Sequence, residues 1–218
     1  MMMATPRILT FNFHEPYLCM MAETGLPFDI GLYETGPLAR MWQHAFRPAP
    51  RNLTFVPELE WRQRVKQGYY DVIIAQNETN AVDAADGDAS RILLCHNRRT
   101  YLNTTIQGDP ITGVEKYNAM LEELRHFYDF VFISETKRDD YKIPGRVIFP
   151  GFDVDAWGGY RGETPTVIRV GNTMRQRDRM FDVDFQEACC TGLNNRVVGT
   201  NPLIPGSVAT TSYDELLD

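Results

Sequence analysis

The sequence predicts an α/β protein, a Rossmann-like parallel sheet followed by a partial second Rossmann-like βαβ unit. Apolar runs of four to six residues recur along the chain without polar alternation, as expected of strands buried on both faces of a parallel sheet. Helical segments separate them, so the rhythm is strand, helix, strand. Several of these strands also end in hydrogen-bonding side chains, at Asn12, His14, Asn77, His96 and Asn97. Ligands of open α/β sheets bind beyond the carboxyl ends of the strands, where strand order reverses, so these residues are candidates for one crevice.

In chain order, "RILTFNF" (7–13) is β-branched and aromatic and forms the first strand. "EPYLCMMAETG" follows with Pro16 near a helix start and Gly25 as its stop. "FDIGLYE" (28–34) and "NLTFVP" (52–57) are the second and third strands, and "ELEWRQRVKQG" is a short helix closed by Gly68. "YDVIIAQN" (70–77) and "RILLCHN" (91–97) are the next two strands. The clearest helix runs from Val114 to Tyr128. Val114, Tyr117, Met120, Leu121, Leu124 and Phe127 recur there at spacings of three and four, behind a capping box formed by Thr112 and Glu115. "FVFIS" (130–134), the polar helix "ETKRDDYKI" and the strand "RVIFPGFD" (146–153) complete the first domain, expected over residues 1–150.

"PGFDVDAWGGYRGETP" (150–165) holds four glycines and two prolines and reads as a linker over residues 151–165. Residues 166–218 supply a strand at 166–171, an arginine-rich loop, a helix around Phe181 to Thr191 ended by Gly192, and a strand at 196–199. That is about one βαβ unit, below the roughly 60 residues at which isolated domains become marginal.

The chain of 218 residues carries 29 acidic against 22 basic side chains, for a net charge of −7, so its field repels a polyanion and argues against nucleic-acid binding. Phosphate binding confined to one cleft stays open, because local arginines outweigh a global sign at short range. Cys19, Cys95, Cys189 and Cys190 lack the spacing of a zinc site or redox dithiol and read as reduced core residues. "MMMATPRILTF" lacks the apolar core of a signal peptide, and no apolar run approaches the roughly 18 residues of a membrane span. A cytoplasmic location, with no transmembrane segment, is therefore expected.

The stretch "VIFPGFDVDAW", an apolar strand running into Pro-Gly-aromatic-Asp-x-Asp and an aromatic, resembles the interdomain crossing of GT-B glycosyltransferases, especially the retaining enzymes of family four. "FNFHEPY" and "LLCHN" resemble that family's amino-terminal acceptor domain, and "VIRVGNTMRQRDRM" resembles the start of its nucleotide-sugar domain. The resemblance covers nearly the whole chain in order. It implies two Rossmann-like domains facing across a cleft, with acceptor bound mainly by the first and nucleotide-sugar mainly by the second. It also implies donor binding without metal, the nucleotide-sugar being a co-substrate and no cofactor being needed. The family's glycine-rich turn after the first strand is here "NFHEP", so contact there has to come from side chains. The family's paired donor-binding glutamates have no match in setting, since Glu187 and Glu215 are the ones nearby, and the donor pocket is expected to be incomplete.

By this resemblance His96 matches the histidine beside the transferred sugar and is the candidate catalytic residue, supporting positive charge that develops at the anomeric carbon. A histidine that caps the sheet is the alternative. Retaining transfer of this kind uses the donor's own phosphate to take the acceptor proton, so no carboxylate pair is required. What is required is positive charge around the departing pyrophosphate. Arg175, Arg177 and Arg179, with Asn172, lie just after a strand where a helix amino terminus adds its dipole, and are the candidate donor-phosphate residues. A solvated basic turn is the other reading. His14, Glu15, Asn77 and Asn97 are acceptor-side candidates, with helix starts as the competing role for His14, Glu15 and Asn77. Arg98 and Arg99 either meet a phosphorylated acceptor or are solvated. His44 and His126 show no partner signature, and Met20, Met21, Met120, Trp42 and Trp61 read as packing residues.

The expected function is transfer of a sugar from a nucleotide-sugar to a glycan or lipid-linked acceptor in cell-surface polysaccharide assembly, weak or absent in this chain by itself. The alternatives are a non-catalytic acceptor half, completed by a partner subunit or a homodimer, and a sugar-nucleotide epimerase. A receiver-like signalling domain fits poorly, because "NFHEP" and "ISETK" lack its acidic cluster and strand-end lysine.

Overall fold

The computed structural model describes residues 4–36, 38–44, 47–105, 110–152, 154–155 and 165–209. The chain divides into two compact units, Met1–Trp42 with Ala49–Phe152, and Gln43–Pro48 with Asp153–Asp218. Most of the expected linker, together with Glu215, lies outside the described residues.

The first unit contains β1 (Ile8–Phe11), α1 (Glu15–Ala22), β2 (Phe28–Gly31), β3 (Leu53–Val56), α2 (Glu58–Lys66), β4 (Val72–Ala75), α3 (Glu78–Asp83), β5 (Ser90–Cys95), α4 (Arg99–Thr105), α5 (Pro110–Leu124), β6 (Asp129–Phe132), α6 (Glu135–Tyr141) and β7 (Arg146–Val147). Its seven strands pair in the order β3-β2-β1-β4-β5-β6-β7, every pair parallel. The chain builds outward from β1 to β3 on one side and from β4 to β7 on the other. The switch point therefore falls between β1 and β4, where Ile8 lies opposite Val72 and Leu9 opposite Ile73.

Successive side chains of a strand point to opposite faces, and the buried clusters follow that alternation. Ile8, Phe28, Ile30 and Leu53 pack with Leu18, Cys19 and Ala22 of α1 on one face. Leu9, Phe11, Val56 and Ile73 pack with Trp61 and Val65 of α2 on the other. Leu93, Cys95, Phe130 and Phe132 join Leu121 and Leu124 of α5 and Tyr141 of α6. Trp61 is fully buried, stands edge-on to Phe11 with ring centroids 5.2 Å apart, and donates from Nε1 to the Leu32 carbonyl at 3.0 Å. Gly68, at φ +66°, ends α2 in the left-handed conformation that glycine adopts without strain.

Several boundaries differ from the sequence reading. The long helix begins at Pro110, so Thr112 lies inside it and the expected capping box is not its start. It ends at Leu124, which leaves Phe127 past the last turn and exposed. The helix start that was the competing role for Asn77 is realised in α3, whereas α4 was not anticipated, since "RTYLNTT" has too few turns to show an apolar period.

The second unit holds β8 (Val167–Val170), α7 (Asp178–Phe181), α8 (Val183–Cys189) and β9 (Asn195–Val198). β8 and β9 pair in parallel. The single helix expected from Phe181 is two, broken at Asp182, which takes φ +48°. Met174, Val183, Val197 and Ile204 form its buried cluster. All four thiols are free, with Cys19, Cys95 and Cys190 buried as expected and Cys189 exposed, which corrects its reading as a core residue. Among the described residues no helix is long and apolar enough to cross a membrane.

Candidate functional site

The turn after β1 leads straight into α1, and His14 occupies the cap position with Pro16 in the first turn. This brings His14 to the carboxyl end of β1, beside the switch point. Residue 96 follows the last residue of β5 and shares the sheet face of Leu94, two positions earlier. The rings of His14 and His96 lie 5.1 Å apart between centroids, and Tyr17 of α1 meets His96 edge-on at 4.8 Å. Phe13 is 5.2 Å from His14 and 6.4 Å from His96. Three aromatic side chains from the β1–α1 segment thus gather around the imidazole at the β5 end.

His96 is anchored from the sheet side. Its Nε2 lies 2.8 Å from Oε1 of Gln76, the residue directly after β4. Gln76 is 1% exposed, and its Nε2 donates to Thr10 Oγ1 at 2.9 Å. The Thr10 hydroxyl donates in turn to the Ile74 carbonyl at 2.9 Å. Burial lowers the His96 pKa to about 4, and the positive charges of His14 and Lys137 act in the same direction. At neutral pH the ring is uncharged. A group this weakly basic is a poor proton acceptor in catalysis, but it hydrogen-bonds without cost to a neutral ligand.

Two polar atoms nearby are buried without a partner among the described residues. Asn12 is 8% exposed and its Oδ1 meets no donor, and Asn77 has an unpartnered Nδ2. The Asn77 side chain is oriented by its Oδ1, which accepts from Asn80 N at 2.9 Å and caps α3. The orphan group of Asn77 is therefore its amide donor. Glu15 lies in the first turn of α1, and Asn97 follows His96 half-buried. Of the expected residues, His14 and His96 come together as ring neighbours, and Asn77 stands at the adjoining strand end.

Three participants were missed. Gln76 is itself a strand-end polar residue and the same rule would have found it. Arg40 donates from Nη1 to the Phe13 carbonyl at 2.6 Å and stands over the Phe13 ring at 5.6 Å. It comes from a segment without apolar period, so nothing in its local sequence signals this. Lys137 sits in the polar helix α6, likewise without a signal. Arg98 is exposed, whereas Arg99 is half-buried and held within the fold. Its Nε donates to Asn118 Oδ1 at 2.9 Å and its Nη1 to the Tyr141 carbonyl at 2.7 Å. His126 lines an open cleft of about 540 Å³ with Arg125, Asp129 and Arg146, at the amino ends of β6 and β7 and so at the opposite end of the sheet.

In the second unit the loop after β8 is braced internally. Asn172 Oδ1 accepts from Thr200 N at 2.7 Å, and Asn201 joins Gly171 O to Met174 N at 2.6 and 2.8 Å. Arg175 forks onto Asp184 and onto Glu187 Oε2, the latter at 2.7 Å. Arg177 lies over Phe181 at 5.2 Å, and Arg179 is exposed. Both terminal nitrogens of Arg175 thus carry a carboxylate, with which an anion would compete there.

Fold and site together define a doubly wound α/β protein with an aromatic, histidine-bearing cluster beside its switch point. No family model and no curated protein sequence matches the chain. Among solved structures, HepE of Anabaena, determined in complex with UDP and glucose, is similar with a TM-score of 0.60 and 14% identity, over 91% of this chain and 62% of HepE. At that identity the likeness shows the fold. The chain spans less than two thirds of the length of HepE.

Proposed function

We propose that this chain is a glycosyltransferase polypeptide of GT-B type, transferring a sugar with retention from a nucleotide-sugar to a glycan or lipid-linked acceptor in the assembly of surface polysaccharide. The observation that carries this reading is the imidazole of His96, held neutral at the switch point and ringed by His14, Tyr17 and Phe13. Aromatic edges and an uncharged hydrogen-bonding ring suit a polyol, whose hydroxyls need partners and whose C–H faces need apolar contact. The likeness to a protein holding UDP and glucose supports the same substrate class. In this reading His96 meets the donor sugar. His14, Glu15, Asn77 and Asn97 serve the acceptor, and Asn172, Arg175, Arg177 and Arg179 serve the donor phosphates.

A second reading is a non-catalytic acceptor-side component, with the donor half supplied by another polypeptide. It is favoured by the second unit, where the described sheet has only two strands and Ile168, Val170 and Phe185 are 61%, 58% and 64% exposed. Thermal unfolding with UDP-glucose or a GDP-sugar separates the two. A donor-binding chain gains about 2.7 kcal/mol at a hundredfold excess over Kd, or roughly 5 to 10 °C in Tm. His96→Ala should remove most of that gain. An acceptor-side component shows no shift with either nucleotide-sugar, and that result would overturn the leading reading.

A further inference from the structure

The link between the sheet and His96 is a chain of hydrogen bonds whose direction is fixed at its far end. The Ile74 carbonyl only accepts, so the single hydroxyl proton of Thr10 is committed to it at 2.9 Å. Thr10 Oγ1 must then accept from Gln76, which makes the group 2.9 Å away the amide nitrogen of Gln76. Met21 Sδ, at 3.5 Å from the same nitrogen, takes its second proton. Turning the amide over would set Oε1 against a committed hydroxyl and a thioether, leaving the buried NH2 group facing the imidazole and both its former acceptors empty. Gln76 therefore presents Oε1 to His96 at 2.8 Å, and an oxygen there requires a proton on Nε2. Nδ1 has no hydrogen-bond partner among the described residues and is not one of their buried, unpartnered atoms.

We propose that Thr10 and Gln76 are positioning residues that hold His96 as the Nε2-protonated tautomer, presenting the Nδ1 lone pair to a hydroxyl of the bound sugar. The tautomer follows from the protein's own bonds, whereas the sugar hydroxyl rests on the reading given under Proposed function. The consequence for selectivity is that this corner of the site takes a ligand group able to donate. A ring oxygen or an ether at the same place meets lone pair against lone pair, so a sugar methylated or deoxygenated at the contacting position is discriminated against.

The test is a two-bond ¹H–¹⁵N correlation spectrum of the imidazoles in the ¹⁵N-labelled full chain at pH 7, assigned to His96 by its loss in His96→Asn. The expected pattern has a protonated Nε2 and an unprotonated Nδ1. Thr10→Val is nearly isosteric and does not touch the ring, yet it frees the Gln76 amide to turn. An Nδ1-protonated population should appear, and affinity for UDP-glucose should fall roughly fivefold. Gln76→Glu places a carboxylate against Nε2 and should raise the His96 pKa by at least about one unit in the same spectra. A wild-type ring protonated on Nδ1 overturns the proposal, as does a Thr10→Val protein with unchanged tautomer. Should UDP-glucose bind none of these proteins while the spectra follow expectation, the relay stands and the sugar reading falls.

Discussion

At the scale of single residues, His96 links the site to acid stability. Its folded pKa of about 4 lies below the roughly 6.5 of an unfolded histidine. Between those values the unfolded chain binds more protons than the folded one, so stability rises with pH across the window and is lost as pH falls through it. The effect is on the order of 2 to 3 kcal/mol for this half-buried ring. Chemical denaturation at pH 7 and at pH 4.5 should show the loss in the native chain and a much smaller one in His96→Asn; equal losses in both proteins would refute the assignment. Asp71, held to about 2 by hydrogen bonds from Arg7, is sensitive in a separate and lower window, below the ordinary carboxylate value of 3.8. His96 was legible in the sequence because a polar residue at the end of an apolar run marks a sheet's rim. The atoms that orient it were not, since the bond from Gln76 to Thr10 spans 66 positions.

At the scale of elements, helix starts make the sharper distinction. Asn77 caps α3 with a 2.9 Å bond to Asn80 N, while Ser134 reaches Lys137 N only at 3.4 Å. Asn77→Ala should therefore cost about 1 kcal/mol and Ser134→Ala only a few tenths; urea midpoints in the reverse order would contradict this. The approach to β7 sets a second limit. A Cβ at Gly145 would stand 2.5 Å from the Phe130 carbonyl and 2.6 Å from the Phe132 ring. The backbone cannot yield easily there, so Gly145→Ala should destabilise by roughly 1 to 3 kcal/mol in the same assay. Strands were readable because each is a short apolar run with turn residues on either side. The extents of α3 and α4 were not, because six or seven residues give less than two turns of any pattern, and α3 showed itself only through Asn77 as a cap. Pro110 does signal the true start of α5, as a residue suited to the first turn, and Thr112 competed with it as a cap.

At the scale of the whole molecule, the order β3-β2-β1-β4-β5-β6-β7 places β1 and β4 at the middle of the larger sheet and β3 and β7 at its rims. Amide exchange should accordingly be slowest in Leu9 to Phe11 and Ile73 to Ala75, and fastest among the strands in Arg146 and Val147. Protection at β7 equal to that at β1 would be inconsistent with this order. The parallel arrangement was legible from unalternated apolar runs, because such strands must be covered on both sides. The switch point was not located by sequence, since pairing of β1 with β4 joins segments more than sixty residues apart. Once that pairing is known, the rim residues of both halves fall into one place.

Thr10 carries a lesson for anyone who would make this protein sturdier. A wholly interior hydroxyl is an obvious target for replacement by a methyl group, yet that exchange strips the Ile74 carbonyl and the Gln76 amide of their partner, so it should cost heat resistance as well as orientation. Sturdier variants are better sought elsewhere, because this hydroxyl joins the midline of the sheet, through Gln76, to the strand end that carries His96.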